Sequence, residues 1–454
     1  MGNLNESNIN KIYLKASLII LGFSFSIILL FWGPSLIGGI LALSILVILS
    51  WFISGMNLLH PLTWFPPLFF MYSVSMPMLI LVGEFPFNSI YEYTLFVQWV
   101  ALLTFIIFVG RNSDLKKTYD LTILRNIKYI LIPIFSVSLI LSSVYLIYIY
   151  TRGLTSKYAI ALDQSIYSSF HGFFSILVFS YLILFTYKLI KDQKFPKIFF
   201  IFTITFALLI LIIAGERDIL LRMILGTIFI VHFFHRRIKK KLILTMGIIG
   251  VFAISILSNM KNLAFGERES VRNESLIVDI FGGEFRSASR NLYTLISGSD
   301  SWTYFNGETL IWDLKIAAFI NSTSPGAWFN QNFYPELVAS GGGNGFSLVA
   351  EGYLNFGILG VILWFAILGL ILKYLYKKAH TGLIWALIYI ILIPIVIYAN
   401  RGDFATILTY FSKHIALPLI LVFFIKHILE KDTFILKKPR SEFIKNIDYM
   451  KAKQ

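Results

Sequence analysis

The sequence predicts an all-α polytopic integral membrane protein. The first observation behind this prediction is composition: 57% of the residues are hydrophobic and 14% are charged, against roughly a quarter charged in a soluble domain. The second is the length of the apolar stretches, which recur throughout the 454-residue chain and which reach the roughly 18 residues that a helix needs to cross the hydrocarbon core. The sequence contains no cysteine, which separately excludes disulfides, thiolate metal sites and cysteine nucleophiles.

These stretches predict about twelve transmembrane helices. The first begins near Lys11 and Lys15 and is not followed by a small-residue cleavage site, so it is interpreted as a membrane helix and not as a removed signal peptide. The expected spans are residues 12–32, 35–54, 61–82, 90–109, 129–150, 169–187, 196–214, 217–234, 242–258, 352–372, 382–399 and 404–425. The expected organisation is helices 1–9 in residues 1–258, one large external loop in 259–351, helices 10–12 in 352–425, and a basic tail in 426–454.

Basic segments predict the orientation of the chain in the membrane. In the twelve-helix arrangement, "KLIKDQKFPK", "HRRIKKK", "KYLYKKAH" and the Lys-rich C-terminal tail fall on the same side as the N-terminus. Because cytoplasmic loops carry an excess of Lys and Arg, both termini are predicted to be cytoplasmic and the large loop to face outside the plasma membrane. This topology accounts for the net charge of +15, and no nucleic-acid partner is expected.

The large loop is predicted to be a folded outer cap. Its segments "EFRSASRNLYTLIS" and "ETLIWDLKIAAFI" have the apolar spacing of helices, and loops of this length in a compact assembly are usually functional. It ends in "SGGGNG", which lacks the Lys-Ser/Thr of a phosphate-binding P-loop. We interpret this glycine-rich segment as a hinge or as a backbone that approaches a neighbour closely.

Arginine, in contrast to lysine, is concentrated on the predicted outer side. A guanidinium binds phosphate or carboxylate through two parallel hydrogen bonds, and an Arg near a membrane span is a functional-site hypothesis by default. Arg286 and Arg290 are separated by four residues and share one face of a predicted helix. The set predicts an outward-facing site for an anionic headgroup, and its members are Arg152, Arg217, Arg222, Arg268, Arg272, Arg286, Arg290 and Arg401.

Each of these arginines also has a structural interpretation. Arg217 has Glu216 and Asp218 as neighbours with which it can neutralise a turn, and Arg401 has Asp403. Arg268 and Arg272 stand among glutamates, as on a solvated face, and Arg152 has the position of an interfacial anchor. The aromatic residues around the outer loop, Tyr353 among them, fit either an interfacial belt or a surface on which sugars stack.

The predicted outer carboxylates provide candidate general bases. Glu351 is the first choice because it stands at the mouth of a predicted span, directly after the glycine-rich segment. Asp218 and Asp403 are the other two candidates. None of the seven histidines lies in the large loop, and no spacing of His, Asp and Glu suggests a metal site.

Several of these segments together resemble the bacterial O-antigen (Wzy-type) oligosaccharide repeat-unit polymerases. They are the turn "GERDILLR" at residues 215–222, the segment "GNGFSLVAEGYLNFGILG" at 343–360 and the turn "NRGDF" at 400–404. The number of spans and the single large outer loop late in the chain are similar as well. The resemblance covers most of the chain and is most specific around "EGYLNFG" and the arginines.

The resemblance implies a GT-C-like fold and an inverting glycosyltransferase that polymerises undecaprenyl-pyrophosphate-linked oligosaccharides at the outer face of the bacterial plasma (inner) membrane. It implies that pyrophosphate is bound by Arg217, Arg222, Arg286, Arg290 and Arg401, with Arg152, Asn344 and Tyr353 in the same substrate-binding set. A carboxylate would accept the proton of the attacking hydroxyl, Glu351 first and Asp218 or Asp403 next. No cofactor or metal is implied. The implied partners are membrane lipids, a chain-length regulator and a flippase.

Two other functions remain open at the level of sequence. The O-antigen ligases share an Arg-rich outer loop, and "RDILL" matches their Arg-x-x-x-Leu pattern, but they resemble one another in an outer-loop histidine that is absent here. A flippase or transporter for the same lipid-linked sugars fits twelve spans and a cationic cavity. The lack of an evident inverted repeat argues against it.

Overall fold

The computed structural model of the protein describes residues 6–31, 35–111, 122–154, 160, 163, 165–250, 276–283 and 285–436. Within these ranges the chain forms helices and no β-strand, which confirms the predicted all-α class. Eleven of the described helical segments are long and apolar enough to cross a membrane, so the chain is a multi-pass membrane protein. The predicted span 242–258 is helical over 240–250, and its remainder lies outside the described residues.

The helices fall into three groups along the chain. The first group is α1 (Glu6–Phe31), α2 (Leu36–Ser54), α3 (Pro61–Leu81), α4 (Ile90–Val109), α5 (Thr122–Arg152), α6 (Gly172–Asp192), α7 (Lys197–Ala214) and α8 (Arg217–Ile230). Short helices follow within the predicted outer loop: α9 (Leu276–Phe281), α10 (Arg286–Ser297), α11 (Glu308–Ala317), α12 (Pro325–Phe333) and α13 (Pro335–Ala339). The last group is α14 (Leu348–Ala379), α15 (Leu383–Tyr398), α16 (Phe404–Phe411) and α17 (Leu417–Leu436).

Helix α14 runs through the core of the bundle and packs mainly against α4. Phe65 of α3, Phe105 of α4 and Phe365 of α14 are all fully buried. The ring centroids of Phe65 and Phe105 are 4.3 Å apart, and those of Phe65 and Phe365 are 6.3 Å apart. These contacts tie the end of the chain to its beginning and place α14 beside α3 and α4.

A proline in α3 creates the attachment point for α10. Pro77 has no N–H and cannot donate to the carbonyl of Ser73, four residues earlier in the helix. The Ser73 carbonyl instead accepts a hydrogen bond of 3.1 Å from the buried Ser289 hydroxyl of α10. Two residues further along α3, the Ser75 hydroxyl donates to the carbonyl of Phe285, which directly precedes α10, at 2.8 Å. A freed backbone carbonyl in a membrane helix is often satisfied by a neighbouring side chain in this way. The two hydrogen bonds attach α10, which carries Arg286 and Arg290, to α3.

Helix α14 is interrupted at Phe356 and Gly357, where the backbone leaves the helical conformation. The carbonyls of Leu354 and Asn355 accept hydrogen bonds from the backbone N–H groups of Phe305 (3.1 Å) and Asn306 (3.2 Å). An unsatisfied backbone group in hydrocarbon costs several kcal/mol. The segment before α11 therefore stabilises the break, and the break lies within the "EGYLNFG" motif.

Replacing Gly360 by Ala is expected to destabilise the protein. A Cβ at this position would lie 1.9 Å from the Gly352 carbonyl oxygen, so the two sides of the break would have to separate, at a cost of about 1–3 kcal/mol or more. The measurement is the midpoint of thermal unfolding in detergent. Gly172→Ala is the matched control, because a Cβ there meets no atom within 4 Å. Equal midpoints for the two variants would contradict the close approach.

Candidate functional site

Three arginines from distant parts of the sequence line one cavity. Arg286 and Arg290 project from one face of α10, as their spacing predicts, and Arg401 comes from the turn after α15. The cavity has a volume of about 140 Å³, and Asn344 of the glycine-rich segment also lines it. The described residues that line this space include no carboxylate. Three guanidinium groups around one space suit an anion with several oxygens.

Each of the three guanidinium groups lies over an aromatic ring. The ring centroid is 5.8 Å away for Arg286 over Phe85, 5.3 Å for Arg290 over Tyr334 and 5.7 Å for Arg401 over Tyr398. A cation within about 6 Å of a ring face is attracted by the ring quadrupole. The rings thus help to fix the positions of the three guanidinium groups around the cavity.

Two asparagines hold the glycine-rich segment across this cavity. The Asn291 amide donates to the carbonyls of Asn344 (3.1 Å) and Gly345 (3.3 Å). The Asn330 amide donates to the Gly345 carbonyl at 3.2 Å, and its oxygen accepts from the Asn344 N–H at 2.8 Å. Gly345 has a φ of +68°, and a Cβ there would lie 2.7 Å from the Arg401 carbonyl oxygen. The close backbone approach proposed for "SGGGNG" is confirmed at this glycine.

A larger cavity, of about 310 Å³, adjoins the arginine cavity and shares Gly343 and Arg401 with it. Asp403 and Thr406 line it together with Tyr398. Its lining is mixed, with hydrogen-bonding groups beside apolar and aromatic surface. Such a lining fits a sugar better than it fits an aliphatic chain.

Asp403 is the carboxylate of this larger cavity, and it caps the N-terminus of α16. Its Oδ1 accepts hydrogen bonds from the backbone N–H (2.8 Å) and the hydroxyl (2.7 Å) of Thr406. Its Oδ2 accepts one hydrogen bond, 3.1 Å long, from the Gly326 N–H. An ionised carboxylate offers about four lone-pair sites, so Oδ2 retains capacity for a further donor.

The "GERDILLR" turn forms a separate cluster. The Arg222 guanidinium is buried, and it contacts Asp218 Oδ2 at 2.6 Å and His414 Nδ1 at 2.8 Å. It also lies 5.6 Å from the Tyr410 ring centroid. Neither Arg217 nor Arg222 is among the residues that line the two cavities described above. For Arg217, the sequence left charge pairing within the turn open as an alternative. In the structure, Arg222 forms such a pair with Asp218.

A pair of stacked tyrosines connects this cluster to the cavities. Tyr398 and Tyr410 have ring centroids 6.0 Å apart and an interplanar angle of 11°. The Tyr398 ring lies next to the Arg401 guanidinium, and the Tyr410 ring lies beside both Arg222 and His414. The stacked tyrosines therefore lie between Arg222 on one side and Arg401 of the arginine cavity on the other.

Comparison with known proteins gives this arrangement its context. A family model described as O-antigen polysaccharide polymerase Wzy matches residues 13–433. The chain belongs to this family. The match spans the eleven membrane-length helices and all three arginines of the cavity. No curated protein and no solved structure matches the chain.

Membership of the Wzy family confirms the resemblance seen in the sequence. It supports a polysaccharide polymerase role, with a glycosyltransferase-like activity on lipid-linked oligosaccharide repeat units in membranes. The described residues contain no group of three or more His, Asp or Glu side chains that could hold a metal ion.

Glu351 of this Wzy-family chain is fully buried and lines neither cavity. Its Oε1 accepts hydrogen bonds from the Thr309 hydroxyl (3.2 Å) and the Trp364 indole N–H (3.1 Å), and its Oε2 accepts one from the Phe404 N–H. Because neither cavity reaches it, Glu351 is poorly placed to accept a proton from a substrate bound there. The geometry favours Asp403 over Glu351, which the sequence places first.

Asp313 is the buried carboxyl that sequence analysis missed. It lies on α11 and is fully buried. Burial, followed by the charge of Glu351, raises the pKa of the Asp313 carboxyl well above its usual range. The available signal was one acidic residue within the apolar helical stretch "LIWDLKIAAF". Asn291 and Asn330 were missed as well, because an asparagine in a short helix gives no signal of its partner.

Arg152 and Tyr353 lie apart from the arginine cavity. Arg152 is exposed at the end of α5, 5.8 Å from the Tyr148 ring centroid. Tyr353 packs with the rings of Tyr93 and Tyr304, each at a centroid distance of 6.4 Å. Their substrate contacts stay predictions. Arg268 and Arg272 lie outside the described residues.

Proposed function

We propose that this protein polymerises undecaprenyl-pyrophosphate-linked oligosaccharide repeat units by inverting glycosyl transfer on the outer face of the plasma membrane. The observation that carries the proposal is the convergence of Arg286, Arg290 and Arg401 on one cavity. A pyrophosphate presents several anionic oxygens, and guanidinium groups recognise such oxygens through paired hydrogen bonds.

The adjoining cavity supports this assignment because of the covalent structure of the donor. The first sugar is bonded directly to the pyrophosphate, so its site must abut the phosphate site. The cavity that contains Asp403 meets this requirement, since it shares Arg401 and Gly343 with the arginine cavity. We place the anomeric carbon of the donor at the junction of the two spaces.

The proposed reaction is a single displacement. Asp403 accepts the proton of the acceptor hydroxyl, and the hydroxyl oxygen bonds to the anomeric carbon as the bond from that carbon to the phosphate oxygen breaks. Undecaprenyl pyrophosphate leaves with the bonding electron pair, and the three guanidiniums stabilise the charge that develops on it. Attack from the face opposite the leaving group inverts the anomeric configuration.

The topology and partners of the proposal follow from the sequence. The positive-inside pattern favours cytoplasmic termini and an outward-facing arginine cavity. A substrate assembled in the cytoplasm then requires a flippase that delivers it, and we include a chain-length regulator among the expected partners. Arg217, Arg222 and Asp218 are assigned to the rim of the site, beyond the stacked tyrosines.

The test uses the full-length protein in proteoliposomes with labelled lipid-linked repeat units. We expect a ladder of longer lipid-linked products, one undecaprenyl pyrophosphate released per bond, and inversion at each new glycosidic carbon. Movement of the labelled lipid between leaflets without any lengthening would replace the proposal with a transporter. A single transfer onto a lipid A-core acceptor, without a ladder, would indicate a ligase.

A further inference from the structure

Helix α11 of the outer loop carries its polar and apolar residues on the opposite sides from those expected of a helix in water. Thr309 and Asp313, four residues apart, are fully buried. Ile311 and Leu314 share the opposite face of the helix, and each is 54% exposed. A helix at the surface of a soluble domain buries its apolar stripe and exposes its charged residues. The inverted arrangement is typical of a helix whose polar side faces protein and whose other side faces lipid.

The next helix of the loop, α12, provides a comparison. Its Phe329 is fully buried, while Gln331 and Asn332 are exposed. This is the pattern of a helix whose outer face meets water. The inversion is therefore a property of α11 and not of the outer loop as a whole.

Helix α11 runs beside the last membrane span, which begins at Phe404. The first turns of α11 and α16 meet at one carboxylate, since the Thr309 hydroxyl and the Phe404 N–H both donate to Glu351. Beyond the other ends of the two helices, the Lys413 ammonium lies 5.7 Å from the Phe319 ring centroid. The two helices also pack against each other. They therefore run in the same direction, from the outer turn into the span.

Helix geometry gives the depth that α11 reaches. Lys413 follows Phe404 by nine residues, which is about 13 Å along a helix. The span has 25 residues, or about 37 Å, and so exceeds the hydrocarbon core by about 7 Å. With all of this excess at the outer end, the backbone of Lys413 still lies about 6 Å inside the hydrocarbon. The Lys413 side chain extends back toward the interface, so Phe319 lies among the outermost part of the acyl chains.

The exposed residues of α11 continue a lipid-facing stripe of the last span. The members of this stripe recur at helical spacing and are all exposed: Lys413, Leu417, Ile420 and Phe424. Because the stripe belongs to a membrane span, lipid covers it. Phe319 lies against Lys413, the outermost member. The lipid that covers the stripe therefore also meets the end of α11.

Phe319 follows α11 in a left-handed backbone conformation, with a φ of +62°. The N–H groups of Phe319 and Ile320 close the last turn by donating to the carbonyls of Ile316 (3.0 Å) and Lys315 (2.8 Å). Glycine is the usual residue at such a position, and a bulky residue is strained there. Phe319 and Ile320 are nevertheless 60% and 56% exposed. Strain of this kind points to a role for the side chain, and an exposed ring beside lipid fits a membrane anchor.

We propose that α11 is a re-entrant helix, which enters the leaflet on the side of the large loop and contacts lipid hydrocarbon there. By the predicted topology this is the outer leaflet. The lipid-facing surface of α11 consists of Ile311, Leu314, Phe319 and Ile320. The outer loop is thus anchored within the bilayer and does not only cover the bundle from above. The inference concerns contact with lipid and stands whether or not the protein polymerises sugars.

The test uses nitroxide labels on the full-length protein in proteoliposomes. The chain has no cysteine, so Ile311→Cys, Leu314→Cys and Ile320→Cys each create one labelling site. Ile420→Cys, on the lipid-facing stripe of the last span, is the reference for lipid, and Asn332→Cys on α12 is the reference for water. We expect the three α11 labels to match the lipid reference, with frequent collisions with oxygen and loss of the collisions with a polar Ni(II) chelate.

Two results would overturn the proposal. Collisions with Ni(II) as frequent on α11 as at Asn332→Cys would place the helix in water. Few collisions with either reagent would show that protein covers the surface, as in a dimer of this chain.

A second measurement needs no purified protein and covers the case of variants that purify poorly. In intact membranes, a charged maleimide should label Asn332→Cys and spare Leu314→Cys, and both should react after denaturation. Equal labelling of the two variants before denaturation would contradict a lipid-facing α11.

Discussion

Replacing Arg401 by Lys is expected to lower the rate of chain elongation by about 100-fold or more, comparable with the loss of one preorganised donor to a developing anion. Lys keeps the positive charge but presents a compact ammonium in place of a planar fork, so it cannot make two parallel hydrogen bonds to a phosphate. Arg401 lines both cavities, so it borders the proposed junction of sugar and pyrophosphate. Arg290→Lys is expected to act in the same direction. The measurement is the length distribution and the initial rate of labelled polymer in proteoliposomes.

Arg237→Lys provides the control for this substitution. Arg237 is exposed and lies in the basic segment after α8, on the predicted cytoplasmic side. We expect normal polymer from this variant and normal membrane insertion from all three. Full-length polymer made at the wild-type rate by both Arg290→Lys and Arg401→Lys would show that guanidinium geometry has no role in the cavity.

The second large effect is expected from Asp403→Asn. A positioned general base contributes roughly 10²- to 10⁴-fold to the rate, and an amide cannot accept the proton of the acceptor hydroxyl. Asn is as good as Asp at a helix N-cap, so α16 should keep its start at Phe404. The expected result is a fall in kcat of at least about 100-fold with little change in the thermal unfolding midpoint.

Asp300→Asn, an exposed neutralising change, is the control for Asp403→Asn and is expected to keep the wild-type rate. A second comparison uses Asp403→Ala, which removes both the base and the cap, and which should lower the unfolding midpoint as well as kcat. If Asp403→Asn turns over at the wild-type rate, Asp403 is not the base, and Glu351 or Asp218 regains that role.

The membrane helices were predictable because their signal is local. A run of apolar residues identifies a span without knowledge of any neighbour, and eleven of the described helices qualify as spans. The pairing of Arg286 with Arg290 on one face of α10 was predictable for the same reason, since helical periodicity relates residues four positions apart. Pro77 in α3 implies a freed carbonyl from its chemistry alone, but not that Ser289 would donate to it.

The composition of the site was less predictable because its contacts join distant parts of the chain. Arg222 and His414 are 192 residues apart in the sequence, and the Phe404 N–H and the Glu351 carboxylate are 53 apart. No periodicity relates such positions. The sequence therefore grouped all the outer arginines into one set, whereas the structure separates Arg222, which is paired with Asp218, from the three arginines of the cavity. It likewise placed Glu351 first among the bases, although Glu351 lines neither cavity.

The interruption of α14 has a consequence for the design of chimeras between two polymerases of this family. The carbonyls at the break are satisfied by backbone donors of Phe305 and Asn306, and the Asn355 side-chain oxygen accepts from the Gly307 N–H at 3.0 Å. The outer cap and the membrane bundle thus share one set of hydrogen bonds and are not separate modules. A chimera that imports the cap of another family member to change sugar specificity needs residues 305–313 and 351–360 from the same parent, because a junction between these two segments would leave main-chain groups unmatched within the bilayer.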